Sequence, residues 1–195
     1  MILKLFLPLL GYLLGSVSSA IIISKLKGLE DPRNVGSGNP GATNVLRSGD
    51  KTAAALTLLG DVLKGTIPII IAKALGASPV LIALTGMAAF LGHLYPLYYQ
   101  FKGGKGVATA GGVFLGIAPL IVLLLIIIWF VLAFLTRYSS FSALVAAACA
   151  PILFFFLLPL GPYILLSTAI AILLIWRHRE NIKRLLNGTE GKINF

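Results

Sequence analysis

The chain has 195 residues, 58% of them hydrophobic and 11% charged, with a formal net charge of +10 and a mean hydropathy of +0.98. A soluble domain of this length does not carry such hydrophobicity, so the apolar runs read as membrane spans packed helix on helix. The basic residues lie between those runs, where cytoplasmic loops collect them, rather than in a nucleic-acid patch, and the single Cys149, inside an apolar run, excludes a disulfide framework and a cysteine-based metal site.

In chain order, residues 5–24 form a first uncharged run long enough to span. The run resembles a signal peptide, but further spans follow, so it reads as a retained first helix. Gly11, Gly15 and Ser19 recur at every fourth position in it, a small-residue face that lets another helix approach closely. Residues 25–51 are a polar loop. Residues 52–75 are a second span, interrupted by Asp61 and Lys64, and 80–99 a third. A second polar loop occupies 100–106. Residues 107–117 are apolar but about half a membrane long at 1.5 Å per residue, with Ala108, Gly112 and Gly116 again at spacing four. Residues 119–135, 141–158 and 163–176 complete a set of seven, and a basic, polar tail starts at Arg177. The expectation is one all-α, polytopic integral membrane domain over 1–195.

Charge orients it. Lys25, Lys27, Arg33, Arg47, Lys51, Lys102, Lys105, Arg137 and the cations of the tail fall in alternate connections, and the turns at 76–79, 117–119 and 159–162 carry none. Seven spans put the two sets on opposite sides; the basic side is cytoplasmic, the N-terminus outside and the C-terminus inside. One long helix over 107–135 would break that parity, so the charges support two segments there.

Every polar cluster then lands on the cytoplasmic side, where the clusters can meet. The densest, Gly36–Asn44, holds three glycines, a serine, a threonine and two asparagines in nine residues, and Arg47 follows. Glycines allow positive φ and close approach, and a turn of free N–H groups with hydroxyls and an arginine traps an anion. The plainer reading is a polar inter-helix loop rich in turn formers. Lys102-Gly103-Gly104-Lys105-Gly106 has phosphate-loop composition without the Walker spacing, so nucleotide hydrolysis is rejected. Lys105 at a helix start still suits a phosphate, against a plain positive-inside anchor. Asp61 and Lys64, one turn apart, read as an internal ion pair. His93 is either a general base or a partner of neighbouring backbone. His178 and Asn181 share a helix face and suit a ligand, the alternative being a basic helix lying on anionic lipid. Arg137 with Ser139, Ser140 and Ser142 binds an anion or caps a helix.

The chain lacks a His-x-x-x-x-Asp box, a Gly-x-Ser-x-Gly elbow and any metal-ligand spacing. A transporter of a phosphorylated solute needs polar residues along a path to the far side, and Lys73 is the only charge toward the outer end of the spans after the first. A scaffold subunit without a site is the third class.

Gly36-Ser37-Gly38-Asn39-Pro40-Gly41-Ala42-Thr43-Asn44-Val45-Leu46-Arg47, Asp61-x-x-Lys64-Gly65, Gly92-His93-x-x-Pro96, Phe101-Lys102-Gly103-Gly104-Lys105-Gly106-Val107-Ala108-Thr109 and Arg177-His178-x-x-Asn181-Ile182 together resemble the bacterial acyl-phosphate-dependent glycerol-3-phosphate acyltransferases, the PlsY family. The resemblance covers nearly the whole chain. It implies a seven-helix inner-membrane enzyme without cofactor or metal, moving a fatty acyl group from acyl phosphate to the 1-position of glycerol 3-phosphate. It also implies a functional link to an acyl-carrier-protein-dependent acyl-phosphate synthase. Carried over, Ser37, Gly38, Asn39, Thr43 and Asn44 cradle the donor phosphate with Gly103 and Gly104. Arg47, Lys105 and His178 hold the acceptor phosphate, and Asn181 lies near its hydroxyls. One departure matters: many members have a serine three places after the residue matching Ser140, where this chain has Ala143, so either Ser142 substitutes or that contact is absent.

Overall fold

The computed structural model describes residues 6–193, and among them all regular structure is helical. The chain forms two compact units, Met1–Ile117 and Ala118–Phe195.

The first unit contains α1 (Leu7–Gly15), α2 (Ser19–Leu26), α3 (Ala42–Leu46), α4 (Lys51–Ala74), α5 (Pro79–Leu94), a 3-10 turn at Leu97–Tyr99 and α6 (Val107–Ile117). Prolines at the first turns of α1 and α5 cost nothing there, since those N–H groups have no helical acceptor. The Asp50 carboxylate caps α4 by accepting from Ala53 N at 2.8 Å. α1 packs on α5 and α4 on α6 through the small-residue faces read from the sequence. A Cβ on Gly15 would strike the Ala89 carbonyl of α5, one on Gly92 the Tyr12 carbonyl of α1, and one on Gly112 the Val62 carbonyl of α4. Helix backbones in contact like this gain dispersion energy that side chains would prevent.

The first apolar run differs from the continuous span expected over 5–24. It breaks between Gly15 and Ser19 with a 41° bend. Ser16 Oγ donates to the Tyr12 carbonyl at 2.8 Å, a bond that competes with the helical ladder. The Val17 carbonyl leaves the ladder and accepts from Lys64 Nζ at 2.8 Å. Lys64 Nζ also lies 2.8 Å from Asp61 Oδ1, so the internal pair expected from the sequence is present. The contact is one of charge rather than alignment, since Oδ1 accepts no well-directed hydrogen bond.

The second unit contains α7 (Pro119–Thr136), α8 (Ser139–Leu157), α9 (Gly161–Arg177) and α10 (Arg179–Leu186). α7 and α8 meet at Arg137, which takes a left-handed φ of 64° while its N–H closes on the Ala133 carbonyl at 2.9 Å. The polar tail is itself helical: α10 leaves α9 at 58°, with Ile182 and Leu185 on its half-buried side and Arg179 and Lys183 exposed. Cys149 is half-buried on α8.

Among the described residues, four helices are long and apolar enough to cross a membrane, and six if each bent pair counts as one span. Val107–Ile117 stands apart as an apolar helix of 11 residues. Lys64→Met should leave the buried Asp61 carboxylate without its lysine and orphan the Val17 carbonyl, at a cost of roughly 3–5 kcal/mol. Thermal unfolding in detergent should show a large drop for Lys64→Met and recovery of most of it in the Asp61→Asn/Lys64→Met double variant.

Candidate active site

The first unit builds the two glycine loops around buried polar side chains. In loop 36–47 the organiser is Asn44, at the centre of α3 and 3% exposed. Its Oδ1 accepts from Ser37 N at 2.8 Å and from Ser37 Oγ at 3.1 Å, while its Nδ2 donates to the carbonyls of Pro32 at 2.7 Å and Val35 at 3.0 Å. That uses all four of the amide's bonding positions inside the loop. Asn44 therefore sets the loop's shape, while Ser37, Gly38, Thr43 and Arg47 are exposed and Asn39 is half-buried. Gly36 has φ +58°, and a Cβ there would run into Asn44 Oδ1, so both conformation and space require glycine. The Arg47 stem passes over that glycine. The loop's entry is fixed by a two-pronged pair the sequence reading did not single out: Arg33 Nη2 donates to Asp31 Oδ2 at 2.7 Å and Nε to Oδ1 at 3.0 Å. That hydrogen-bonded guanidinium holds the Asp31 carboxyl below the usual carboxylate range.

The second loop enters through two consecutive left-handed residues, Gln100 at φ 55° and Phe101 at φ 59°. Non-glycine residues hold that conformation only where their surroundings enforce it. Here Phe101 N donates to the Pro96 carbonyl at 3.0 Å and Lys102 N to the Tyr99 carbonyl at 3.1 Å. Gly104 N donates to the His93 carbonyl at 3.2 Å. A Cβ on Gly103 would meet that same carbonyl, and one on Gly104 would meet the His93 ring and lie 3.2 Å from the Pro40 carbonyl of the first loop. The two loops thus touch at Gly104 and Pro40. Lys105 is half-buried one residue before Gly106, whose φ of +90° turns the chain into α6, and Lys102 is exposed.

The second unit collects a different set. His178 sits at the α9–α10 elbow, 3% exposed, with Nδ1 2.8 Å from the Leu174 carbonyl. A carbonyl only accepts, so Nδ1 carries the proton. Asn181, one turn on and 6% exposed, donates through Nδ2 to Glu190 Oε1 at 2.6 Å. Ser140 Oγ donates to the same oxygen at 2.6 Å, and Arg184 Nε to Oε2 at 2.7 Å. Ser142, offered as a site serine, turns its hydroxyl to the Tyr138 carbonyl of its own helix at 2.9 Å. The serine that joins Asn181 in a network is Ser140. It does so as a donor to Glu190 and not as a helix cap, and no side chain caps α8. Glu190 is not legible in the sequence: as one of two glutamates in a basic tail, it gives no signal. The tail folds back further, Ile193 N donating to the Arg137 carbonyl at 2.7 Å. Among the described residues no group of three His, Cys, Asp or Glu could hold a metal ion.

The family description "Glycerol-3-phosphate acyltransferase" matches residues 5–188. The chain belongs to the glycerol-3-phosphate acyltransferase family. A glycerol-3-phosphate acyltransferase from Thioalkalivibrio sulfidiphilus is 54% identical over 193 residues, covering 99% of this chain and 95% of that relative. The crystal structure of PlsY (YgiH), an integral membrane glycerol 3-phosphate acyltransferase in its glycerol 3-phosphate form, is 43% identical with a TM-score of 0.93, covering 98% of this chain and 96% of that one. Its lysophosphatidic acid form is 41% identical with a TM-score of 0.91, covering 98% of this chain and 95% of that one. This glycerol-3-phosphate acyltransferase family member is a multi-pass integral membrane enzyme, and the apolar runs and helix lengths above agree with that.

Partial burial works against the charge on Glu190, but the hydrogen bonds from Ser140, Asn181 and Arg184 outweigh it and hold its carboxyl below the ordinary glutamate range. A depressed folded pKa gives stability that is present above the unfolded value and lost as pH falls through the folded one. Wild type should therefore melt above Glu190→Gln at pH 7, and the gap should close as pH is lowered below about 4, the region of a free glutamate. Thermal scans of both proteins across that range in detergent check it.

Proposed function

We propose that this protein transfers a fatty acyl group from acyl phosphate to the 1-hydroxyl of glycerol 3-phosphate, releasing lysophosphatidic acid and phosphate, as the first acylation of bacterial phospholipid synthesis. The likeness to PlsY structures solved in glycerol 3-phosphate and lysophosphatidic acid forms carries this reading. The two touching glycine loops support it. In the step, the acceptor's 1-oxygen forms a bond to the acyl carbonyl carbon and the bond from that carbon to the phosphate oxygen breaks. Phosphate leaves with the electron pair and takes up the proton of the attacking hydroxyl. An acyl phosphate is an anhydride with a good leaving group, so no enzyme nucleophile is required. What the protein supplies is positive charge and orientation for two anions.

In this proposal Ser37, Gly38, Asn39 and Thr43, on a frame held by Asn44, cradle the donor phosphate with Gly103 and Gly104. Arg47, Lys105 and His178 take the acceptor phosphate, and Asn181 its hydroxyls. The roles of His178 and Asn181 rest on the Arg177-His178-x-x-Asn181-Ile182 motif. Ser142 retains only a framework role, because its hydroxyl is spent on Tyr138. The acyl chain approaches from the bilayer. We further propose seven spans, with the short α6 counted among them, in an inner membrane with the glycine loops on the cytoplasmic side, and supply of the donor by an acyl-carrier-protein-dependent synthase.

A coenzyme A donor needs a dedicated cleft, and the open groove in the second unit lined by Tyr138, Phe141, Leu144, Ile182 and Leu185 among others is apolar. A phosphate headgroup, by contrast, needs only a glycine turn and one or two cations. Acyl phosphate should therefore support lysophosphatidate formation by detergent-purified protein, and acyl-coenzyme A and acyl-carrier-protein thioesters should not. Lys105→Met should lower turnover on the order of 10²–10³-fold and Lys102→Met far less. Efficient use of a thioester, or equal small effects from the two lysines, would count against the proposal.

The topology has its own check. Single cysteines at Ser48 and Asn187, in a Cys149→Ala background, should react with a polar maleimide only from the cytoplasmic side, and one at Ser78 only from outside. Labelling of position 187 from outside would remove the seven-span arrangement.

A further inference from the structure

Beneath the junction of the two glycine loops, the first unit buries a cluster that the reaction proposed above does not use. His93 is 6% exposed, near the end of α5. Its Nδ1 lies 3.1 Å from Thr109 Oγ1 on α6 and 3.7 Å from Asp61 Oδ1 on α4. Asp61 is held in turn by Lys64, and Lys64 by the Val17 carbonyl at the α1–α2 break. The other edge of the imidazole faces the loops: a Cβ on Gly104 would collide with His93 Nε2, and the His93 carbonyl accepts Gly104 N. The same Gly104 position abuts the Pro40 carbonyl of the first loop.

We infer that His93 is a positioning residue for the phosphate-binding junction: clamped from behind by Thr109 and Asp61, its ring forms the floor on which Gly103-Gly104 and the Pro40 turn are set at a fixed spacing. The inference rests on the reading of the two loops as a phosphate site. Three arguments favour a role in positioning over simple filling. A buried ionic cluster is a costly way to fill space, because apolar residues of the same volume do so at least as well. The hydrogen bond between Nδ1 and Thr109 Oγ1 orients the imidazole, with Asp61 Oδ1 3.7 Å away on the same side, so its edge toward Gly104 is directional. Asp61 Oδ1 and the fully buried Thr57 Oγ1, one turn earlier on α4, lack aligned hydrogen bonds. Polar groups left so inside an apolar unit mark a place where packing has been given up for something else.

The test compares His93→Gln, His93→Leu and Thr109→Val, with Lys105→Met as a control for the underlying reading. KM for acyl phosphate and for glycerol 3-phosphate are measured separately from kcat, alongside thermal unfolding in detergent. Glutamine places an amide nitrogen near the Nε2 position, whereas leucine fills volume alone. The expected result is a rise in KM for at least one phosphate-bearing substrate, on the order of 10–100-fold for His93→Leu, with a smaller fall in kcat. His93→Gln should lie closer to wild type, and Thr109→Val should move the same KM in the same direction while keeping its melting temperature. Leucine matching or surpassing glutamine, or KM values unmoved in His93→Leu and Thr109→Val, overturns the inference. If His93→Leu fails to fold, the KM shifts of His93→Gln and Thr109→Val decide in the same way. A Lys105→Met protein with intact turnover instead removes the phosphate-site reading itself, so the two failures are told apart.

Discussion

Two pairs of helices in the first unit touch backbone to backbone, and the rest of that unit depends on the contact. Gly11 and Gly15 of α1 lie on Thr85 and Ala89 of α5, and Gly65 of α4 lies against Thr109 and Val113 of α6. In lipid there is no hydrophobic drive between helices, so association rests on van der Waals contact and interhelical hydrogen bonds. Thr66 Oγ1 adds one such bond, donating to the Gly112 carbonyl at 2.8 Å. The approach brings α5 and α6 close enough to α4 for His93 to lie against both Thr109 and Asp61. The loops above inherit their geometry from that meeting.

The loops use a second device. Each is shaped by one polar group that is not exposed: Asn44 in the first, the His93 carbonyl and ring in the second. A mobile glycine-rich segment binds an anion poorly, because ordering it on binding costs backbone entropy. Internal hydrogen bonds meet that cost during folding, which suits the loops to the phosphate role proposed for them. The second unit follows the same logic with a carboxylate: Glu190 draws together Ser140 of α8 with Asn181 and Arg184 of α10.

Much of this was legible in the sequence. The helices follow the apolar runs to within a few residues, since twenty uncharged residues have little other choice in a membrane. Gly15 and Gly112 announced their interfaces through spacing alone, and Asp61 with Lys64 announced an ion pair. What escaped was set by tertiary contact. The break at Ser16–Ser18 depends on a lysine 47 positions away, and no local pattern encodes it. Asn44 reads as a ligand-facing residue in a polar motif until its four bonds are traced. Ser142 and Ser140 are equivalent on paper, and only the returning tail distinguishes them. The α9–α10 elbow was hidden because Arg177 and Arg179 look like the end of a span rather than a corner.

The bond from Lys64 to the Val17 carbonyl also constrains how the chain is assembled. When the first apolar run leaves the ribosome it has an open carbonyl at its middle, and lipid offers that group no donor. The donor arrives only with the next span, and it is a cation that needs the same carbonyl, together with Asp61, to lose its water. Neither segment completes its polar bonding alone, so the two are most stable entering the bilayer as a joined hairpin. The residues between them, loop 36–47 included, are then held at the membrane surface from the moment of insertion.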